Sequence, residues 1–190
     1  MSDLVIRLLQ SSICFGTVIM YGAIGEILTE KSGNLNLGVP GIMYLGGISG
    51  LAASFFYEFN NPDPNGLVCL LISFLAAFLV SALGGLLYSF LTITLRANQN
   101  VTGLTLTIFG TGVGQYLGEF MRVQEGTYVA VSNTLKAAFN NSPFPAALQQ
   151  LPVVGSLLFG HSIFTYLGIA MAVAMGLYLR RSRSGLYLRA

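Results

Sequence analysis

The chain has 190 residues, and 16 of them are charged, 9 Lys and Arg against 7 Asp and Glu, or 8%. An ordinary soluble domain carries roughly 25%, and a chain with 54% hydrophobic residues would leave large apolar patches exposed to water. The same arithmetic excludes a disordered chain, and a net charge of +2 with no basic stripe argues against nucleic-acid binding. An all-α, polytopic integral membrane protein remains.

A spanning helix needs about 20 apolar residues at a rise of about 1.5 Å each. Five segments qualify: 5–27, 36–57, 67–91, 99–121 and 160–179. The first is read as a retained membrane helix, not a signal peptide. Asp3 stands near Arg7 in its leading region, and no A-x-A cleavage site follows. It ends in Gly25-Glu26-Ile27-Leu28-Thr29-Glu30-Lys31-Ser32, which has the outline of a phosphate loop. Glu30 replaces the second glycine, so the backbone cannot cradle a phosphate and the acid would repel one.

Residues 33–41 run from a joint into the second span with two asparagines, three glycines and Pro40. Two readings stand. Helix hydrogen bonding breaks there, offering unwound backbone to a solute as transporters do. Alternatively, Asn34 or Asn36 caps a helix whose first turn holds Pro40. Within the span, Gly46 and Gly50 lie four apart, as do Gly110, Gly114 and Gly118 in span four. Small residues at that spacing let helices approach closely inside a bundle. Gly47-Ile48-Ser49-Gly50 also matches the nucleophile motif of rhomboid-like intramembrane serine proteases. Its serine would need a base, and His161 is the sole histidine. A chain rich in Gly and Ser produces this motif by chance, and His161 is better read as a polar residue at the membrane interface.

Residues 58–66 form a turn-rich loop with two acids and no base. Cys69, in span three, and Cys14, in span one, are read as small apolar residues without metal or redox spacing. Span four opens with Asn98-Gln99-Asn100, then Thr102, Thr105 and Thr107. These amides could read solute hydroxyls, or could cap the helix. Glu119 and Arg122, three apart, can pair on one face. The connection 122–159 holds Pro143, Pro145 and Pro152, with a short interfacial helix predicted around 144–151.

Arg180, Arg181, Arg183 and Arg189 place the C-terminus in the cytoplasm. Counting back, Lys31 and Arg96 lie on the same side, giving six basic residues inside against Arg7, Arg122 and Lys136 outside. With no Trp, the interface anchors are Tyr57, Tyr128 and Tyr178.

Several of these segments carry a family resemblance. The stretch from Gly25-Glu26 through Glu30, Gly33, Asn36, Gly38 and Gly41 to Met43 resembles a signature of ABC importer permeases. The subfamily handles simple sugars and nucleosides and is related to the branched-chain amino acid permeases. Leu95-Arg96-Ala97-Asn98-Gln99-Asn100-Val101-Thr102-Gly103-Leu104 resembles a second signature. Leu151-Pro152-Val153-Val154-Gly155 and Arg183-Ser184-Gly185-Leu186-Tyr187-Leu188-Arg189-Ala190 resemble a third and a fourth. The likeness runs in order over essentially the whole chain. Pro40 stands where the family usually has an acid, so any role of that carboxylate is not carried over. Family members continue past the position of Ala190, so residues 1–190 are read as a single transmembrane region forming the N-terminal part of a longer permease. The coupling segment and C-terminal helices would lie beyond it.

The resemblance implies a pathway for a small neutral polar solute in a multi-pass protein of the bacterial cytoplasmic (inner) membrane. It implies a second permease subunit, ATP-binding cassette ATPase subunits and an extracytoplasmic solute-binding protein as partners. ATP would be used by the ATPase, with no cofactor, metal or catalytic residue in this chain. Spans without central charges suit a neutral solute. The residues expected to line the pathway are Asn36, Gly38, Gly41, Asn98, Gln99 and Asn100. The alternatives are the serine protease built on Ser49 and His161, and a secondary transporter driven by an ion gradient.

Overall fold

The apolar runs fold as long helices, joined where Asn, Pro and Gly cluster. The computed structural model describes residues 2–125, 129, 131–149 and 155–187. In chain order the helices are α1 (Ser2–Lys31), α2 (Val39–Asn60), α3 (Gly66–Ser89), α4 (Gln99–Glu125), α5 (Asn133–Asn140), α6 (Ala146–Gln149), α7 (Ile163–Arg181) and α8 (Arg183–Tyr187). A π-helical turn, Phe90–Thr94, extends α3, and another, Gly155–Phe159, precedes α7. The described residues include no strand.

Among the described residues four helices are long and apolar enough to cross a bilayer: Leu4–Lys31, Val39–Asn60, Gly66–Thr94 and Ile163–Arg181. The fifth expected span is helical too, as α4. Its 27 residues reach about 40 Å at 1.5 Å each. Its threonines and glycines, with Asn100, Gln115, Glu119 and Arg122, make it more polar than the other four. The expected break in the second span is not within a helix. The chain is non-helical from Ser32 to Gly38, and α2 then runs unbroken from Val39 with Pro40 in its first turn. Gly38, not an asparagine, holds the cap position.

By its contacts the chain divides into two compact units, Asn34–Ala138 and Met1–Gly33 with Phe139–Ala190. In the first, α2 is the central element. Against α3, a Cβ on Gly46 would lie 2.1 Å from Ser81 Oγ, and one on Gly50 would lie 3.2 Å from the Ser73 carbonyl. Below them the Ser54 and Ser73 hydroxyls bond to each other beside the fully buried Cys69. Against α4, a Cβ on Gly41 would lie 2.4 Å from Thr107 Cα, and one on Gly110 would lie 2.4 Å from the Gly41 carbonyl. Gly114 seats the Tyr44 ring, whose Cε1 would come within 2.0 Å of an added Cβ. Four of the five spaced glycines therefore serve packing within the bundle. Gly118 meets nothing within 4 Å.

Polar groups fix the ends of this unit. Asn65 caps α3 by accepting from the Leu67 N–H at 2.9 Å, and Tyr57 Oη accepts from the Asn65 N–H at 3.2 Å. The Glu58 carboxylate accepts from the Ser132 N–H at 3.0 Å, at the start of α5. The sequence pattern did not single out α5, an eight-residue helix in a polar connection.

In the second unit α1 packs on α7. Tyr21 donates its hydroxyl to the Phe164 carbonyl at 2.7 Å, and Gly168 makes room for Met20 and Tyr21. Ser162 caps α7 by accepting from the Phe164 N–H. Ser182 then accepts from the Gly185 N–H at 2.8 Å, and Gly185 lets α8 close on the Tyr178 carbonyl. A short helix is present within 144–151, as α6. The Tyr128 anchor, Leu151–Val154 of the third motif and Arg189 lie outside the described residues.

Adding a methyl group at the α2–α4 contact forces two main chains apart. Overpacking of this kind costs about 1–3 kcal/mol even where side chains can yield. Gly41→Ala and Gly110→Ala are expected to lower the thermal midpoint of the detergent-solubilised full-length permease by several degrees. Gly47→Ala and Gly112→Ala, which meet nothing within 4 Å, are expected to leave it unchanged. Equal midpoints for all four would refute the contact.

Candidate solute-pathway site

Non-helical backbone beside a membrane span must find partners for its N–H and C=O groups. The segment after α1 shows how this is met. Gly33 closes α1 at φ +80°, a left-handed position that glycine takes without steric cost. From Asn34 the chain runs along the first turns of α4. Tyr88, buried near the end of α3, points its hydroxyl at this segment, 2.8 Å from the Leu35 carbonyl and 3.1 Å from Asn34 Oδ1. Gln99 Oε1 accepts from the Leu35 N–H at 3.1 Å. Thr107 donates to the Leu37 carbonyl at 2.9 Å, and Asn36 Oδ1 accepts from the Gly38 N–H at 2.9 Å. Gly103 permits the approach, because a Cβ there would lie 2.8 Å from both the Leu37 and Gly38 nitrogens.

The facing segment is built from the π-turn after α3. The Leu95 N–H bonds to the Phe90 carbonyl at 3.1 Å and the Ala97 N–H to the Leu91 carbonyl at 3.0 Å. Arg96 sits between them at φ +53°, where glycine is usual. Asn98 then caps α4, its Oδ1 accepting from the Asn100 N–H at 3.0 Å and the Val101 N–H at 3.2 Å.

The structure thus brings Asn36, Gly38, Gly41 and Gln99 together. Asn36, Gly38 and Gly41 are buried, and Gln99 is half-buried. Asn36 Oδ1 and Gln99 Oε1 accept from main-chain N–H groups, so these residues hold the entry to α2 in place. Asn98 is a cap and Asn100 is exposed. Tyr88 and Thr107 belong to the same joint and were not among the expected site residues. The available signal was a single tyrosine in a Leu-rich run, since a buried tyrosine hydroxyl usually has a partner.

The protease arrangement finds no support in either residue's surroundings. Ser49 Oγ lies 2.8 Å from the Leu45 carbonyl and 2.9 Å from that of Gly46, so its hydrogen goes to its own helix. His161, just before the start of α7, is buried within the protein, with Nε2 2.9 Å from the Leu157 carbonyl. Tyr166 donates to the Leu158 carbonyl at 2.8 Å and accepts from the His161 N–H, which ties this turn to α7. Glu119 and Arg122 do pair, through two parallel hydrogen bonds of 2.8 and 2.5 Å on an exposed face of α4.

Long apolar helices packed through glycine, with irregular backbone satisfied internally, define a multi-pass helical membrane protein. The chain belongs to the family described as branched-chain amino acid transport system / permease component, which matches residues 8–190. It is 29% identical over 94% of its length to TsgC13 of Haloferax volcanii, a permease protein provisionally named for a glucose ABC transporter. It is 26% identical over 96% of its length to the nucleoside ABC transporter permease protein NupC of Lactococcus lactis subsp. cremoris. It is 24% identical, again over 96%, to the guanosine ABC transporter permease protein NupQ of Bacillus subtilis. The matches cover 49%, 54% and 54% of those proteins, so the chain spans about half the length of the curated relatives it matches. No solved structure is significantly similar to it.

Removing one buried hydroxyl tests the joint. Tyr88→Phe leaves the Leu35 carbonyl without its donor, a loss of about 1–3 kcal/mol. It is expected to speed amide hydrogen exchange across residues 34–38 while exchange in α7 stays unchanged. Unaltered exchange at 34–38 would show that Tyr88 does not hold the segment.

Proposed function

We propose that this chain is part of the permease subunit of an ATP-binding-cassette importer for a small neutral polar solute, a nucleoside or a simple sugar. The observation that carries the reading is the family match over residues 8–190, joined by relatives named for glucose, nucleoside and guanosine transport. The distribution of charge supports a neutral solute. In the four apolar spans the charged residues lie near the ends, and Gly66–Thr94 has none. A charged solute would call for charged partners at depth, which are costly there.

On this reading two permease subunits form the pathway, a solute-binding protein delivers from outside, and ATPase subunits consume ATP. The protein lies in the bacterial cytoplasmic membrane with Arg180, Arg181 and Arg183 on the cytoplasmic side. The joint that holds Asn36, Gly38, Gly41 and Gln99, with Asn98 and Asn100 at the adjoining start of α4, then lies at the cytoplasmic end of the pathway, where helix movement would open or close it.

The test is uptake of labelled nucleosides and sugars by the full-length permease co-expressed with its ATPase and binding protein. Uptake of one class is expected, abolished by an inactive ATPase and unaffected by collapse of the proton gradient. Uptake that follows the ion gradient without ATP would overturn the reading. Asn98→Ala and Gln99→Ala are expected to lower uptake about three- to tenfold, the equivalent of about one hydrogen bond, at unchanged membrane levels. Normal uptake in both would remove them from the pathway.

A further inference from the structure

The residues leading into α2 are held from two sides, and the two sides are joined to each other. From α3, Tyr88 sets its buried hydroxyl 2.8 Å from the Leu35 carbonyl. One turn earlier, Gly84 leaves room for Ile42, whose Cγ1 would lie 3.3 Å from an added Cβ. From α4, Gln99 accepts from the Leu35 N–H and Thr107 donates to the Leu37 carbonyl. Between those contacts Gly103 lies against the Leu37 and Gly38 nitrogens. The π-turn Phe90–Thr94 leads from α3 toward α4. Thr92, in that turn, donates to the Tyr88 carbonyl at 2.8 Å.

Such a segment could serve transport in either of two ways. It could peel away from α3 and α4 to clear a passage, or it could travel with them. The contacts favour travel. Peeling would strip partners at once from the Leu35 N–H and from the Leu35 and Leu37 carbonyls, beside a membrane span where replacements are few. Sliding is no easier. At Gly103 and at the Gly41–Gly110 contact, main chain meets main chain. A shift of one residue would bring in Leu104 or Thr111, where a Cβ already has no room. Packing of this kind has discrete arrangements and does not deform smoothly.

We propose that residues 34–38 stay docked through the transport cycle, so that α3 and α4 carry the entry of α2 with them, and that Tyr88 is the positioning residue that makes this entry follow α3. This rests on the importer reading. Tyr88 acts through the Leu35 carbonyl and needs no contact with solute. Without its hydroxyl, α3 would move while the start of α2 lagged behind. ATP would then be consumed in cycles that carry no solute.

Proteoliposomes holding the full-length permease and its ATPase, supplied with the binding protein and ATP, test both parts. The solute is labelled uridine or glucose, whichever the parent takes up. Cys14 and Cys69 are first replaced by Ala. Leu37→Cys and Thr107→Cys, at positions whose carbonyl and hydroxyl lie 2.9 Å apart, are then combined and bridged with a short bifunctional thiosulfonate. Mass spectrometry verifies the bridge. Bridged and reduced protein are expected to transport at rates within about twofold of each other, since no hinge opens between them. Loss of transport on bridging, restored by a reductant, would show that the segment must leave α4 and would overturn the proposal.

Tyr88→Phe is expected to raise the ATP hydrolysed per solute imported about three- to tenfold, as for loss of about one hydrogen bond. The half-saturating solute concentration and the amount of permease in the membrane are expected to stay unchanged. Adding the bridge between positions 37 and 107 is expected to bring the ratio back toward the parent value, which a general loss of stability would not allow. An unchanged ratio in Tyr88→Phe, or a raised ratio that the bridge leaves uncorrected, removes Tyr88 from this role. Uptake by the parent without ATP defeats the importer reading itself. A parent that imports with ATP and stops only when bridged defeats the docked segment and leaves the importer reading standing.

Discussion

At Gly41 and Gly110 two main chains meet with no side chain between them, and the arrangement of α2, α3 and α4 depends on that meeting. A methyl group on either would come within 2.4 Å of main-chain atoms across the contact. In lipid, helices gain little from hiding apolar surface, so close van der Waals contact carries the association. The contact also lets the non-helical residues 34–38 lie along α4, where Gln99 and Thr107 reach their backbone groups. Tyr88 completes the joint from α3. Three helices and one irregular segment are therefore held by main-chain proximity plus a few side-chain bonds.

Hydroxyl groups elsewhere are handled by a simpler device. Ser12, Ser49, Thr92, Thr105 and Thr111 each bond to a carbonyl four residues back. This hides a polar atom within its own helix at little cost to the apolar surface. Serine and threonine are thus compatible with lipid, and a motif such as Gly47–Gly50 need not carry chemistry. Ser54 and Ser73 differ, because their hydroxyls also meet across α2 and α3, at the point where Gly50 brings the helices close.

Much of this was legible in the sequence, for physical reasons. Apolar length sets where helices can form, so the expected spans 5–27, 36–57, 67–91 and 160–179 correspond to α1, α2, α3 and α7 within a few residues. Glycines four apart mark close packing, as Gly46, Gly50, Gly110 and Gly114 show. The sequence alone does not decide the start of α2, since Asn, Gly and Pro serve a helix cap and a helix break alike. Only the backbone partners of Asn36 and Gln99 decide between them. The partners of His161, the Leu157 carbonyl and Tyr166, follow from the turn before α7, which no local pattern announces. α5 escaped notice because eight residues carry too short a period, and its start is held by Glu58, which is distant in sequence.

α4 shows why residue identity and residue placement must be considered together. Its content of Thr, Gly, Gln and charge makes it the most polar long helix, which on composition alone argues only for poor lipid compatibility. The glycines fix its rotation. With Gly103, Gly110 and Gly114 against α2, the Gln115–Arg122 patch must point away from α2. A slip of one residue would put Gln115 under the Tyr44 ring in place of Gly114, and Thr111 against Gly41 in place of Gly110. Neither site has room for a side chain. The close contact that leaves one side of α4 no room for side chains at Gly103, Gly110 and Gly114 therefore also determines which polar groups its other side presents.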